Sequence, residues 1–115
     1  MKRGTIILTP FPFTDLSGHK GRPALIISSD SRQGSVVIIA FLSSVYNQKN
    51  LFPTDIVLTT DHSDFSSSGL KTDSVLKIDK LATIDKKIII GELGALTKKT
   101  MEAVIQKLKI VFDMK

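Results

Sequence analysis

The chain has no cysteine, no tryptophan, one tyrosine and two histidines. Without thiols there is no disulfide framework, no cysteine nucleophile and no thiolate zinc site. His19 and His62 lie too far apart in sequence to suggest a protein-only metal centre, which leaves carboxylate-held Mg²⁺ as the metal chemistry still open. Aromatic residues make up 6% of the chain, too few for the broad stacking surface of an RNA-recognition sheet. Long apolar runs are missing too. No stretch approaches the roughly 20 residues that span a bilayer. The opening "MKRGTIILTPF" has a basic start, but its apolar run is too short and too closely bounded by proline for a signal peptide. A soluble, cytoplasmic protein with no membrane partner is expected. No nucleophile elbow, P-loop or Gly-rich dinucleotide fingerprint is present.

What is there is a chain of 115 residues with 42% hydrophobic and 23% charged residues, the balance of a globular protein with one core. A single domain over residues 1–115 is expected, with no repeat and no low-complexity tail. Sixteen Lys and Arg against eleven Asp and Glu give a formal charge of +5. That excess favours polyanionic partners such as nucleic acid, although many small domains are as basic.

Apolar runs mark strands at 4–9, 23–29, 36–44, 54–60, 73–79 and 86–93. Pro10 and Pro12 end the first, since proline cannot donate to a central ladder. "VVIIAFLSS" is apolar at almost every position, so it should lie centrally with both faces buried. "FPFTDLSGHKG" is long for a hairpin loop, and long loops in compact domains are commonly functional or mobile. "DHSDFSSSG" reads as an exposed loop, where Asp61 and Asp64, like Asp15 earlier, would cap turns. In the last segment Met101, Val104, Ile105, Leu108 and Phe112 recur at helical spacing after Thr97, a natural N-cap. Short strands followed by one amphipathic helix point to a small, partly open barrel.

Arg22 is the first residue that invites chemistry. It sits in "GHKGRPALIIS", where Pro23 biases it towards an extended backbone and the neighbouring glycines permit close approach. A guanidinium matches a phosphate bidentately and keeps its charge when partly desolvated. A surface ion pair would account for it equally well. Ser43 and Ser44 close the third strand, and serines there are ordinary turn formers. If the second and third strands are antiparallel, however, the start of one lies beside the end of the other, which brings Ser43 or Ser44 to Arg22. His19 is the loop side chain suited to proton transfer near neutrality, or simply an exposed histidine. Lys20 and Lys80 are solvated charges useful for long-range attraction. Phe11, Phe13, Tyr46 and Phe52 stand near loops as base-stacking candidates or as loop anchors.

"RGTIILTPFPFTDLSGHKGRPALIISS" resembles the N-terminal half of the MazF/PemK family of toxin ribonucleases. "SVLKIDKLATIDKKIIIGELGALTKKTMEAVIQKL" resembles its second half, so the likeness covers nearly the whole chain. The resemblance implies an SH3-like β-barrel with a C-terminal helix, acting as a homodimer. It implies a metal-independent, sequence-selective endoribonuclease that cuts single-stranded RNA and is held inactive by a cognate antitoxin. It places catalysis on Arg22 and Ser43, with Ser44 as the alternative register; His19, by its own chemistry, is a further catalytic or RNA-binding candidate in this chain. Phe13, Thr14, Lys20 and Lys80 would contact RNA. No cofactor and no metal are expected. Where many members carry Gln and Arg, this chain has Lys80 and Ala82, so one groove cation is missing. Two rival readings keep the same barrel, a non-catalytic RNA binder and a protein-interaction toxin of the gyrase-poison type.

Overall fold

A computed structural model describes residues 2–10, 21–44 and 48–115. Six strands form one antiparallel sheet: β1 (Thr5–Pro10), β2 (Gly21–Ile26), β3 (Val36–Ser43), β4 (Asp55–Leu58), β5 (Ser74–Asp85) and β6 (Gly91–Ala95). Their order across the sheet is β4-β5-β3-β2-β1-β6. A short helix, α1 (Phe65–Ser68), leads into β5, and α2 (Lys98–Val111) closes the described chain. The sheet curls into a half-barrel whose end strands β4 and β6 do not pair, the partly open barrel with a C-terminal helix that the strand pattern suggested.

The continuous apolar character of β3 is explained by its position, third of six, with a cluster on each face. Val37, Ile39 and Phe41 pack with Ile7, Ala24, Ile26 and Ile84 on one side. Ala40 and Leu42 pack on the other with Ile6, Leu25, Leu76 and Ile78, beneath Met101 and Val104 of α2. Thr97 caps α2, as its position before the helical pattern suggested. Phe112 departs from the predicted stripe. The helix ends at Val111, so Phe112 becomes the C-cap and stands 57% exposed.

Three segments differ from the sequence expectation. The run 73–79, the polar "KLATID" and the start of 86–93 are not two strands and a link. β5 runs unbroken for 12 residues, pairing Phe41 with Lys77 and, after a bulge, Ala40 with Leu81. The extra residues of the bulge absorb the polar stretch, with Asp79, Lys80 and Thr83 exposed. Residues 86–88 then form a 3-10 turn, in which the Asp85 carboxylate accepts the Lys87 N–H at 2.9 Å.

Proline tolerates the ladder better than expected. Pro10 pairs with Gly21 as the last residue of β1, and Pro23 lies inside β2 opposite Leu8. Arg22 is therefore the second residue of β2, opposite Thr9, and not a residue before the strand.

"DHSDFSSSG" is not simply an exposed loop. It contains α1, and within it Asp64 is 2% and Ser68 0% exposed because their polar groups are satisfied internally. α1 lies directly on β6. A Cβ on Gly94 would come within 2.1 Å of the Ser67 carbonyl oxygen, and one on Gly69, at φ +74°, within 2.0 Å of the Leu93 carbonyl oxygen. Only glycine fits both crossings.

Candidate functional site

At the end of the sheet where β2 begins and β3 stops, a cleft of about 540 Å³ opens between these strands and the segment joining α1 to β5. Leu8, Leu42, Leu70 and Leu93 give it apolar walls, and Ser43, Ser44, Thr72 and Ser74 add hydroxyls. Four cations line it, Arg22, Lys71, Lys77 and Lys80, and its described lining includes no carboxylate. Cations gathered around a concave surface concentrate anions there.

Register brings the two leading candidates together. β2 and β3 pair antiparallel through Ile26↔Ile39, Leu25↔Ala40 and Ala24↔Phe41. Continued by two residues, the same register sets Arg22 opposite Ser43, and directly opposed residues share a sheet face. Arg22 is exposed and Ser43 half-buried, and both line the cleft. Ser44, one residue past the strand, lines it as an exposed neighbour. Lys80 reaches the same cleft from the bulge of β5. Phe13, Thr14, His19 and Lys20, together with Phe11 and Tyr46, lie outside the described residues.

Two cations of the cleft escaped the sequence reading. Lys71 follows the Gly69–Leu70 turn, and Lys77 interrupts the apolar run "SVLKID"; a charge inside such a run was the available signal for Lys77. Lys77 Nζ donates to Asp55 Oδ2 at 2.9 Å, and the Asp55 side chain is 1% exposed. Ala82, where the missing groove cation was placed, is not among the cleft-lining residues. It pairs with Ile39 and packs on the second core cluster. Gly21 also has a different role from the one its position beside Arg22 suggested. A Cβ there would lie 2.4 Å from Leu8 Cγ, so packing within the sheet demands the glycine, whatever the cleft holds.

Asp64 fixes the wall behind the cleft. Its carboxylate accepts the Thr97 N–H at 2.8 Å and the Thr97 hydroxyl at 3.0–3.1 Å, tying α1 to the start of α2. Burial by itself pushes this carboxyl up. The hydrogen bonds from Thr97 and Thr100, with the charge of His62, outweigh it and hold Asp64 below the ordinary aspartate value. Among the described residues no group of three His, Cys, Asp or Glu side chains is placed to hold a metal ion, and no helix is long and apolar enough to cross a membrane.

The fold is shared with known structures at low sequence identity. An endoribonuclease in complex with its cognate antitoxin, from a mycobacterial species, superposes with TM-score 0.75 at 20% identity, covering 100% of this chain and 97% of its own. Toxin MazF-mt6 of Mycobacterium tuberculosis gives TM-score 0.74 at 18% identity, covering 96% and 98%. A MazE-MazF structure from Deinococcus radiodurans gives 0.73 at 18%, covering 100% and 97%. No curated protein matches the chain. The sequence model of the PemK-like, MazF-like toxins of type II toxin-antitoxin systems matches residues 2–112, and the chain belongs to that family.

Proposed function

We propose that this toxin is an endoribonuclease that cuts single-stranded RNA without a metal ion, with Arg22 and Ser43 at the reacting phosphate. The observation that carries the reading is that both line one cleft with four cations and no carboxylate in its described lining, at positions that the β2–β3 register, continued by two residues, sets opposite each other. Family membership supports it, as does the likeness of fold to structures described as endoribonucleases.

The chemistry needs little from the protein. The ribose 2′-oxygen attacks the adjacent phosphorus, the bond from phosphorus to the 5′-oxygen breaks, and a 2′,3′-cyclic phosphate and a 5′-hydroxyl result. Negative charge grows on the phosphoryl oxygens. The Arg22 guanidinium binds that charge and aligns the attack, and the Ser43 hydroxyl donates to the same phosphate. Ser43 is not a nucleophile, because the RNA supplies its own. The 2′-hydroxyl proton goes to a base, and the leaving 5′-oxygen receives one. Arginine is a poor exchanger of protons because its pKa is too high. His19, three residues before Arg22, is the side chain assigned to that transfer. Lys80, with Phe13, Thr14 and Lys20 of the preceding loop, holds flanking RNA, and Ser44 is the neighbour that takes Ser43's place if the register differs.

The same reading gives the protein a cognate antitoxin that covers the cleft, and a homodimeric state. Related folds determined as an endoribonuclease with its antitoxin and as MazE-MazF support the first. Exposed Ile110, Phe112 and Met114 at the end of α2 offer apolar surface for the second. The reaction is tested by its products. RNA cut by the protein should carry 2′,3′-cyclic phosphate and 5′-hydroxyl ends, and a single 2′-deoxy substitution at the mapped cut should abolish cleavage there. Cleavage of the deoxy substrate at an unchanged rate contradicts the mechanism.

A further inference from the structure

Phe52 is 56% exposed, on the turn between the 3-10 segment Gln48–Asn50 and β4. Its backbone is firmly tied. The Phe52 N–H donates to Asp55 Oδ2 at 2.9 Å, and the Asp55 N–H returns to the Phe52 carbonyl at 2.9 Å. Pro53 follows, and its carbonyl accepts from Lys107 Nζ of α2. The Asp55 oxygen that takes the Phe52 N–H also takes Lys77 Nζ, which stands over the Phe52 ring at 5.2 Å from the centroid.

Most of this cluster has a structural reason. Lys77 balances a carboxylate that is almost fully buried, and Asp55 closes the turn. Neither role needs an aromatic ring at position 52, and a ring left mostly in water contributes little by burial. The backbone that carries the ring is nevertheless tied down, and the cation over the ring, Lys77, itself lines the cleft. A fixed aromatic next to phosphate-binding cations is the arrangement that stacks unpaired bases. A tied backbone lowers the ordering cost of binding. Asp55 pairs with Lys77, and Lys77 with Phe41, so Asp55 lies two strands across from β3 and level with a point two residues short of Ser43. At ~4.8 Å per strand and ~3.3 Å per residue, that separation is roughly 12 Å. A base on Phe52 therefore belongs to a nucleotide a step or two along the strand from the reacting phosphate, not to the reacting one.

We propose that Phe52, positioned by Lys77 and Asp55, is a stacking shelf for an unpaired nucleobase of the strand that flanks the scissile phosphate. The role of that phosphate rests on the nuclease reading above. The test begins with a short single-stranded RNA containing one mapped cut, and with its variants made abasic at each flanking position in turn. Phe52→Ala should lower kcat/KM roughly ten-fold or more, chiefly through KM, with an unchanged melting temperature. Phe52→Trp should restore it, and Phe52→Leu should not. In the wild type one abasic position should reproduce the loss, and that position should cost Phe52→Ala nothing further.

Unchanged kinetics in Phe52→Ala, or equal additive losses at every abasic position, would overturn the shelf while leaving the nuclease intact. A wild type that cuts no RNA removes the nuclease reading instead. The same variants are then compared by RNA-binding anisotropy, where equal affinities of wild type and Phe52→Ala overturn the shelf. Weakened antitoxin binding with unaltered RNA affinity would assign the ring to the protein partner and overturn it as well.

Discussion

Asp64 and Thr97 hold each other across 33 residues of chain, the Thr97 N–H donating to Asp64 Oδ2 at 2.8 Å and the Thr97 hydroxyl reaching both carboxylate oxygens. The contact joins the segment before α1 to the N-cap of α2, in a place where the carboxylate is 2% exposed. Asparagine keeps one accepting oxygen but turns the other into an amide that faces the Thr97 donors, and it loses the charge. Asp64→Asn should cost about 1–3 kcal/mol of stability, measured by urea unfolding, without loss of the native circular dichroism spectrum.

The same carboxylate sets an acid limit. Its folded pKa is lowered, so its contribution is complete above the ordinary aspartate range, about pH 4, and is lost as pH falls through the lowered value. Wild-type stability should drop below about pH 4 more steeply than that of Asp64→Asn, whose group binds no proton. Parallel curves for the two proteins would contradict this assignment.

Gly94 should tolerate no side chain. The nearest atoms to an added Cβ belong to the backbone of Ser67 and Ser68, at 2.1–2.7 Å, and backbone cannot swing aside as a long side chain does. Gly94→Ala should destabilise by about 1–3 kcal/mol and loosen the α1 wall of the cleft. Gly34, with open space around it, would lose stability only through its positive φ.

The two serines separate by register. The β2–β3 register, continued by two residues, sets Ser43 opposite Arg22, whereas Ser44 is exposed beyond the strand. Ser43→Ala should lower kcat for RNA cleavage roughly 10²-fold, in the range of one lost oxyanion donor, and Ser44→Ala much less. The reverse order would move the phosphate by one residue along β3.

Lys71 and Lys80 are exposed cations of the cleft with no residue assigned to chemistry. Each replacement by alanine should weaken RNA binding and reduce the slope of log K against log salt by about 0.7, as for one phosphate contact on a single strand. An unchanged slope would place that lysine off the RNA path.

Local pattern was enough to read much of this in the sequence. β3 betrayed its central position because both of its faces meet apolar neighbours, and α2 showed its cap and its buried Met101 and Val104. Strand order alone suggested that antiparallel β2 and β3 would bring Ser43 or Ser44 towards Arg22; the two strands do pair antiparallel, and all three residues line one cleft. What stayed hidden depends on contacts distant in sequence. The bulge opposite Ala40 lets β5 run through a polar stretch that reads as a turn. Asp64 looked like a loop residue because its partner, Thr97, lies far along the chain. Gly21 sits next to a candidate active-site arginine, yet Leu8 across the ladder is what requires it. Lys77 likewise reads as a lone charge until Asp55 and Phe52 are brought around it.

Cleavage of a long single-stranded RNA in EDTA, by wild type and by Arg22→Ala of equal thermal stability, tests the central claim most directly. Discrete cuts by the wild type should fall by about 10²-fold or more in the variant. Cuts that persist undiminished without Arg22, or a folded wild-type protein that makes none, would contradict it.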